Sequence, residues 1–264
     1  MGTGQQTQGV PSGPKIGGLH VKALSLGDLI DALAAGARDL LAAPLTSLTI
    51  AAIYTLGGWF IAVCLFVLKL PYLIYPMAMG FALIAPFVAV AFYDVSHRLQ
   101  NGVRPSPGDV WQSVKGSARR DVRWMALLTA FAFFIWMDIA AVLTLSFFGA
   151  EALDFGVLLK SIVTTSSGLT FLVVGHAVGA IIAFLVFSIS VVSFPILYDR
   201  DLDVMSAIIT SVRLVATSPL TMAAWCVIIA VSVVGAIVSG LILLPVVLPI
   251  LGYATWHIYK RAVV

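Results

Sequence analysis

Six long apolar stretches constrain the fold of this chain more than any other feature of its sequence. They cover residues 44–68, 72–96, 122–148, 168–197, 219–243 and 246–260. A helix crosses the hydrocarbon of a bilayer with about 20 apolar residues. The sixth stretch is short and contains Pro249, so a re-entrant pair over 219–260 is an alternative. The pattern predicts an all-α, polytopic membrane bundle of six transmembrane helices.

Composition excludes a water-soluble body. Of the 264 residues, 61% are hydrophobic and 10% are charged, and the mean hydropathy is +1.06. Soluble domains carry about 25% charged residues. The polar segment 1–23 lacks the apolar core of a signal peptide. We therefore expect a flexible cytoplasmic tail over 1–23 and a single membrane domain over 24–264.

Basic residues predict the orientation in the bilayer. With the first span leaving the cytoplasm, 13 of the 15 Lys and Arg residues fall on the inner side, and only Lys69 and Lys160 fall outside. Cytoplasmic loops carry such an excess. The sequence therefore predicts a bacterial inner-membrane protein with both termini in the cytoplasm. Four tryptophans near the predicted interfaces would form an aromatic belt: Trp59, Trp111, Trp124 and Trp256.

Three segments that precede spans share one spacing of polar and small residues. Asp28, Asp31, Ala35 and Arg38 correspond to Asp109, Gln112, Gly116 and Arg119, and to Asp203, Ser206, Thr210 and Arg213. At helical spacing each set occupies one face, with apolar residues beside it. We expect cytoplasmic interfacial amphipathic helices over 26–42, 108–120 and 202–216. The sequence thus predicts a threefold internal repeat, with units 25–98, 106–199 and 202–261.

Two ionisable residues lie deep in predicted spans. Asp138 stands in the middle of the third span, and His176 lies at a similar depth in the fourth. An acid at the bilayer centre is costly, so we expect Asp138 to point inward, toward the fourth span, with His176 or a backbone or hydroxyl group within hydrogen-bond reach. The pair is either a structural contact between helices, which we favour, or a proton or ion relay.

A second candidate polar cluster lies at the cytoplasmic ends of spans. It comprises Tyr93, Asp94, His97 and His257. Two histidines could share a metal or haem if the span ends met, but their spacing favours ordinary interfacial hydrogen bonds. Cys64 and Cys226 stand alone in apolar runs, without metal-ligand spacing. No catalytic triad, phosphate loop or zinc motif occurs, so we expect no enzyme activity, no cofactor, no metal site and no nucleic-acid partner.

Several strings resemble an uncharacterised integral-membrane family of proteobacteria, filed as a domain of unknown function. They are Ala43-Pro44-Leu45, Met79-Gly80-Phe81-Ala82-Leu83, Pro86-Phe87, Asp199-Arg200-Asp201-Leu202-Asp203, Ile209-Thr210-Ser211-Val212-Arg213 and Leu251-Gly252-Tyr253-Ala254-Thr255-Trp256-His257. The resemblance extends over roughly 25–262. Family members often have His where this chain has Tyr253, which weakens a metal pair with His257. Some members are labelled putative cytochrome c oxidase components, and the resemblance implies no catalytic residues.

These features favour a non-catalytic accessory subunit or assembly factor of a larger membrane complex, in which the resemblance allows a respiratory, cytochrome oxidase role. Its expected partners are the lipid bilayer and another membrane protein. The alternative is a small transporter or channel, with a polar cavity that reaches Asp138 or His176. A membrane enzyme acting on lipid ranks last, because only the cluster of Tyr93, Asp94, His97 and His257 could serve it.

Overall fold

The computed structural model describes residues 19–68, 74–116, 120–149 and 155–264, and these residues are almost entirely helical. The helices are α1 (Leu26–Ala42), α2 (Pro44–Val67), α3 (Ile74–Gln100), α4 (Pro107–Gly116), α5 (Arg120–Phe148), α6 (Phe155–Thr164), α7 (Ser166–Ser190), α8 (Ser193–Asp199), α9 (Val204–Thr217), α10 (Pro219–Val238) and α11 (Leu244–Ala262). The predicted all-helical fold class is confirmed in these residues. The predicted amphipathic helices correspond to α1, α4 and α9, while Arg119 and most of the predicted tail lie outside the described residues.

Ser–Asp pairs begin all three amphipathic helices. Ser25 and Asp28 form a reciprocal capping box at α1. The Ser106 hydroxyl accepts from the Asp109 N–H at 3.2 Å and donates to the Asp109 carboxylate at 2.6 Å. At α9 the roles are exchanged, and Asp203 accepts from the backbone N–H of Ser206 at 3.0 Å. Such caps satisfy N–H groups that lack partners within the helix. The recurring Asp is therefore explained by helix capping.

Two of the amphipathic helices turn into the following helix through the same backbone bend. The linking residues are Ala43, with φ −134° and ψ 57°, and Ser218, with φ −135° and ψ 59°. Pro44 and Pro219 then open α2 and α10. Proline is suited to this position because the first N–H groups of a helix have no intrahelical acceptor.

Four helical segments among the described residues are long and apolar enough to cross a membrane. They are Pro44–Leu65, Leu127–Phe148, Ser166–Asp199 and Pro219–Val238. The six predicted spans are therefore supported at four positions. The other two predicted spans correspond to α3 and α11. The second half of α11 carries His257, Lys260 and Arg261, which lowers its hydropathy.

The helix α11 lies at the centre of the packing. It contacts α1, α2, α3, α8 and α10. Its aromatic residues Tyr253, Trp256 and Tyr259 are fully buried. Trp256 thus belongs to the core, and its predicted place in an interfacial belt is wrong. Gly36 of α1 lies so close to α11 that an added Cβ would stand 2.8 Å from the Ile250 carbonyl oxygen. Burial among helices explains how α11 accommodates polar groups.

The two ends of the described chain pair with each other. Val21 and Val263 form an antiparallel bridge. The Lys22 N–H donates to the Ala262 carbonyl at 2.8 Å, and the Val264 N–H donates to the His20 carbonyl at 3.0 Å. Residues 19–23, which we expected to be part of a flexible tail, are therefore bound to the core. Both ends lie on one side of the molecule, below called the chain-end side.

Candidate functional site

The predicted polar cluster lies within a larger polar layer on the chain-end side. This polar layer is formed by the C-terminal ends of α3, α8 and α11 with parts of α1 and α4. Its members are Asp39, Tyr93, Asp94, Ser96, His97, Arg98, Ser113, Tyr198, Asp199, Trp256, His257, Tyr259 and Lys260. The helices α3, α8 and α11 all end on the chain-end side. Their polar C-terminal residues therefore lie at the same level and can contact one another.

Asp94 is the most buried carboxylate of the polar layer, with 3% of the residue exposed. It accepts hydrogen bonds from Arg98 Nε at 2.7 Å, Ser113 Oγ at 2.8 Å and the Tyr198 hydroxyl at 2.6 Å. The donors come from α3, α4 and α8. A buried carboxylate that is paired and hydrogen-bonded is tolerated where an isolated one is not. Asp94 therefore links three helices.

Tyr93 and His97 face the central tryptophan. The Tyr93 ring stacks on Trp256 with a centroid distance of 6.0 Å. The His97 ring lies 5.8 Å from the Trp256 ring and 6.3 Å from the Tyr198 ring. The two residues are one helical turn apart on α3, so both reach the same neighbour on α11. The predicted shared face of Tyr93 and His97 thus serves packing.

His257 bonds to a residue that sequence analysis did not identify. Its Nε2 lies 2.8 Å from Asp39 Oδ2, and the Ser96 hydroxyl donates to the same oxygen at 2.6 Å. The two side chains are only 17% and 15% exposed. This contact joins α1, α3 and α11. Within the described part of the chain no hydrogen bond joins His257 to His97, and no group of three or more metal-ligating residues occurs.

The last carboxylate of the polar layer, Asp199, is also engaged. It accepts from the Tyr259 hydroxyl at 2.6 Å and from Lys260 Nζ at 3.0 Å. Each Asp of the polar layer thus has at least two donors from other residues. A shallow cavity of about 330 Å³ lies elsewhere, beside Lys22, Asp28 and Arg261. The arrangement holds helix ends together.

Asp138 and His176 differ sharply from the polar layer. Both residues are exposed on the outside of the bundle. His176 Nδ1 bonds to the Leu172 carbonyl of its own helix at 2.7 Å. Among the described residues Asp138 makes no hydrogen bond. The expected inward orientation of Asp138 and its contact with His176 are therefore wrong for the isolated chain. Our expectation assumed that one chain must satisfy its own intramembrane polar groups.

Exposed residues around Asp138 and His176 form two stripes with alternating spacings of four and three residues. We call these stripes the α5–α7 face. On α5 they are Leu127, Phe131, Phe134, Asp138, Ala141 and Leu145, and on α7 they are Leu169, Val173, His176, Ala180 and Ala183. The two helices pack on each other: Phe148 meets Phe171 with ring centroids 5.1 Å apart, and Trp136 lies against Gly179. This spacing is typical of helix–helix seams.

Comparison with known proteins finds a family model that matches part of the chain. No curated protein and no solved structure matches it. Residues 74–199, which extend from the start of α3 to the end of α8, match the family model described as predicted integral membrane protein (DUF2189). This match, over just under half of the chain, confirms the resemblance to an uncharacterised integral-membrane family.

Proposed function

We propose that this protein is a non-catalytic accessory subunit or assembly factor of a larger membrane complex, and that the α5–α7 face is its protein-binding surface. The observation that carries the proposal is the exposure of Asp138 and His176 at membrane depth. Only 6% of the apolar stretch within the segment Leu127–Phe148 is buried. An adjoining protein would cover this surface.

The energetic reason concerns the bilayer. An Asp at the centre of a span costs about 2.5–3.5 kcal/mol on insertion scales. Exposed side chains elsewhere in the candidate spans, such as Phe60 on α2 and Val227 on α10, are apolar and suit lipid. The α5–α7 face is the exception. A polar partner group would offset the cost, as interhelical hydrogen bonds do in membrane bundles.

A non-catalytic role agrees with the state of the polar layer. Its carboxylates Asp39, Asp94 and Asp199 are all engaged by donors from other residues. A general acid or base needs access to a substrate. A transporter or channel, our alternative, calls for a polar cavity at Asp138 or His176. The cavity beside Lys22 and Arg261 does not include either residue.

We propose further that the chain crosses the inner membrane six times with both termini in the cytoplasm, and that it contains three related units. The start of α2 and the ends of α3 and α8 all contact groups near the paired chain ends, through bonds such as Ser47–Tyr253, Ser96–Asp39 and Lys260–Asp199. Such an arrangement supports a return of α3 and α11 across the bundle. The shared caps and the bends at Ala43 and Ser218 support the repeat.

Association with a respiratory complex is part of the proposal and rests on the family resemblance alone. The tagged full-length chain, extracted with mild detergent, should then co-purify with oxidase subunits in stoichiometric amount. Purification with no oxidase subunit would remove the respiratory assignment and leave the docking proposal intact.

Photocrosslinking in intact cells tests whether protein covers the α5–α7 face. The photoreactive amino acid p-benzoylphenylalanine would replace Phe134, which is 64% exposed one turn from Asp138. The matched control places it at Phe60, which is 70% exposed on α2. We expect a discrete protein adduct from position 134 and none from position 60. Lipid adducts alone at both positions would contradict the proposal.

A further inference from the structure

Two of the amphipathic helices carry a similar exposed apolar stripe. The α1 stripe consists of Leu26, Ile30, Ala34 and Leu41, and the α9 stripe consists of Met205, Ile209, Val212 and Ala216. Residues at such spacings lie on one side of a helix. Ile30 is 68% exposed and Met205 is 63% exposed, although both helices bury other residues in the core. Each helix therefore leaves an apolar surface that its own chain does not cover.

An exposed arginine borders each stripe at the equivalent position of its helix. Arg38 follows Ile30 by eight residues, and Arg213 follows Met205 by eight residues. At about 100° per residue, each arginine lies about 80° around the helix from the stripe. The two helices thus present the same combination of an apolar surface and an adjoining positive charge.

Neither guanidinium group is paired with a carboxylate in the described part of the chain. Arg38 makes no ion pair there, and Arg213 donates to a neutral group, the Leu19 carbonyl oxygen, at 3.5 Å. Asp31, the exposed acid of α1, is already bound by Arg261 at 3.1 Å. A guanidinium group presents several N–H donors that match the oxygens of a phosphate. Both arginines are therefore available to an anion from outside the chain.

The helix α4 shows the same arrangement with an aromatic residue. Trp111 stands two residues after Asp109, as Ile30 does after Asp28, and it is 61% exposed. Lys115 Nζ lies 5.0 Å from the centroid of the Trp111 ring. Tryptophan is enriched at the boundary between membrane and water, where lysine keeps its charge in the aqueous layer. This third helix indicates that the occupant of these surfaces is a lipid leaflet.

We propose that α1 and α9 bind acidic phospholipids of the leaflet on the chain-end side. Arg38 and Arg213 each hold a headgroup phosphate, and the α1 and α9 stripes lie against acyl chains. Net negative charge selects acidic lipids, because basic residues near a membrane surface are attracted to them. The apolar stripes select a lipid over a free phosphate, because amphipathic helices bind through apolar area as well as charge. The inference goes beyond the proposed function, since α1 and α9 are not part of the α5–α7 face.

Titration of the full-length protein with lipid in detergent, followed by native mass spectrometry, tests the headgroup preference. The probes are phosphatidylglycerol and phosphatidylcholine with identical acyl chains. We expect phosphatidylglycerol to bind more tightly, and Arg38→Gln/Arg213→Gln to weaken its binding about 25-fold, at about fivefold per charge. The variant Arg38→Lys/Arg213→Lys keeps the charge and should retain most of the affinity.

The matched control is Lys160→Gln, which removes an exposed charge from α6, a helix that packs on α7. It should leave the affinity for phosphatidylglycerol unchanged. Equal binding of the two lipids by the wild type, or unchanged binding by Arg38→Gln/Arg213→Gln, would overturn the proposal.

Thermal unfolding separates lipid binding from a purely structural role of the two arginines. A positive charge toward the C-terminal end of a helix also favours the helix dipole. If that were their only role, Arg38→Gln/Arg213→Gln would lower the unfolding temperature equally with and without phosphatidylglycerol, and the proposal would fail. We expect phosphatidylglycerol to raise the unfolding temperature of the wild type and to raise that of the variant much less, because a bound ligand stabilises the folded state.

Photocrosslinking in intact cells distinguishes a lipid leaflet from a protein as the occupant. With p-benzoylphenylalanine in place of Ile30 or Met205, we expect lipid adducts and no discrete protein adduct. A protein adduct from either position would overturn the inference. The α5–α7 docking proposal is unaffected by that outcome, because position 134 reports on a different surface.

Discussion

The buried carboxylate of Asp94 exemplifies how single residues hold the chain-end side together. Removing it by Asp94→Ala would leave Arg98, Ser113 and Tyr198 without their acceptor. A fully buried pair loses roughly 3–5 kcal/mol on such a change. Because the Arg98 side chain is 27% exposed, we expect about 2 kcal/mol, seen as a lower thermal unfolding temperature in detergent.

The control for this prediction is Asp109→Ala. Asp109 is exposed, and its side chain accepts from Ser106 at the start of α4. Its loss should cost about 1 kcal/mol or less, as for other helix caps. Equal losses for the two substitutions would show that Asp94 does not link the helices as described.

The capping carboxylate of Asp28 makes a second residue-scale prediction. Hydrogen bonds from Ser25, assisted by Arg261, hold the pKa of Asp28 below its ordinary value of 3.8. A carboxyl with a depressed folded pKa contributes stability above the unfolded pKa and loses it as the pH falls through the folded pKa. We therefore expect stability to fall below about pH 4 and the fall to be shallower in Asp28→Asn. Unfolding midpoints measured across that range check it.

Polar residues were predictable where the sequence isolates them and not where their partners decide their role. Tyr93, Asp94, His97 and His257 stand out as polar groups at the ends of apolar runs. Asp39 does not stand out in this way, because it belongs to an amphipathic helix, where a charged residue is expected to face solvent. Its role depends on how α1 packs on α11. For Asp138 the sequence also did not reveal the packing of its helix. We therefore expected a partner within its own chain, and the structure shows none among the described residues.

At the scale of elements, helix limits followed from local chemistry. The Ser–Asp caps and the prolines at positions 44 and 219 act within one turn, so α1 and the starts of α2 and α10 could be predicted closely. The location of α11 could not. Its mean hydropathy combines an apolar first half with a polar, aromatic second half, and only long-range packing reveals that the second half is buried.

The close crossing of α1 and α11 gives a prediction for helix packing. In Gly36→Ala the new Cβ would meet the Ile250 carbonyl oxygen at 2.8 Å and the Ala254 nitrogen at 3.0 Å. Backbone atoms yield little, so we expect a loss of about 1–3 kcal/mol, measured by thermal or denaturant unfolding in detergent.

The matched control is Gly57→Ala in α2, where an added Cβ meets nothing within 4 Å. This variant should be neutral or slightly more stable, because alanine favours the helix. If Gly36→Ala were as stable as Gly57→Ala, α1 and α11 would not approach as closely as described.

At the scale of the whole molecule, the number of crossings is testable by reporter fusions. In the six-span topology, residues 102 and 201 lie in the cytoplasm, and residues 149 and 240 lie outside. If only the four most apolar segments crossed, all four positions would change sides. We expect green fluorescent protein to be fluorescent at 102 and 201, and alkaline phosphatase to be active at 149 and 240. The reverse pattern, together with a fluorescent fusion at residue 264, would establish four crossings.

The central place of α11 has a consequence for biosynthesis. A ribosome makes α1, α2 and α3 long before the helix on which all of them pack. Until α11 follows, Phe92 lacks its contact with Tyr253, and Asp39 lacks His257. Until α11 is made, the surfaces of α1, α2 and α3 that pack on it stay uncovered in the nascent chain. In chains released before codon 244 these surfaces would never be covered. Membrane proteases and insertion chaperones that recognise incompletely packed helices would then control how much of the protein a cell accumulates.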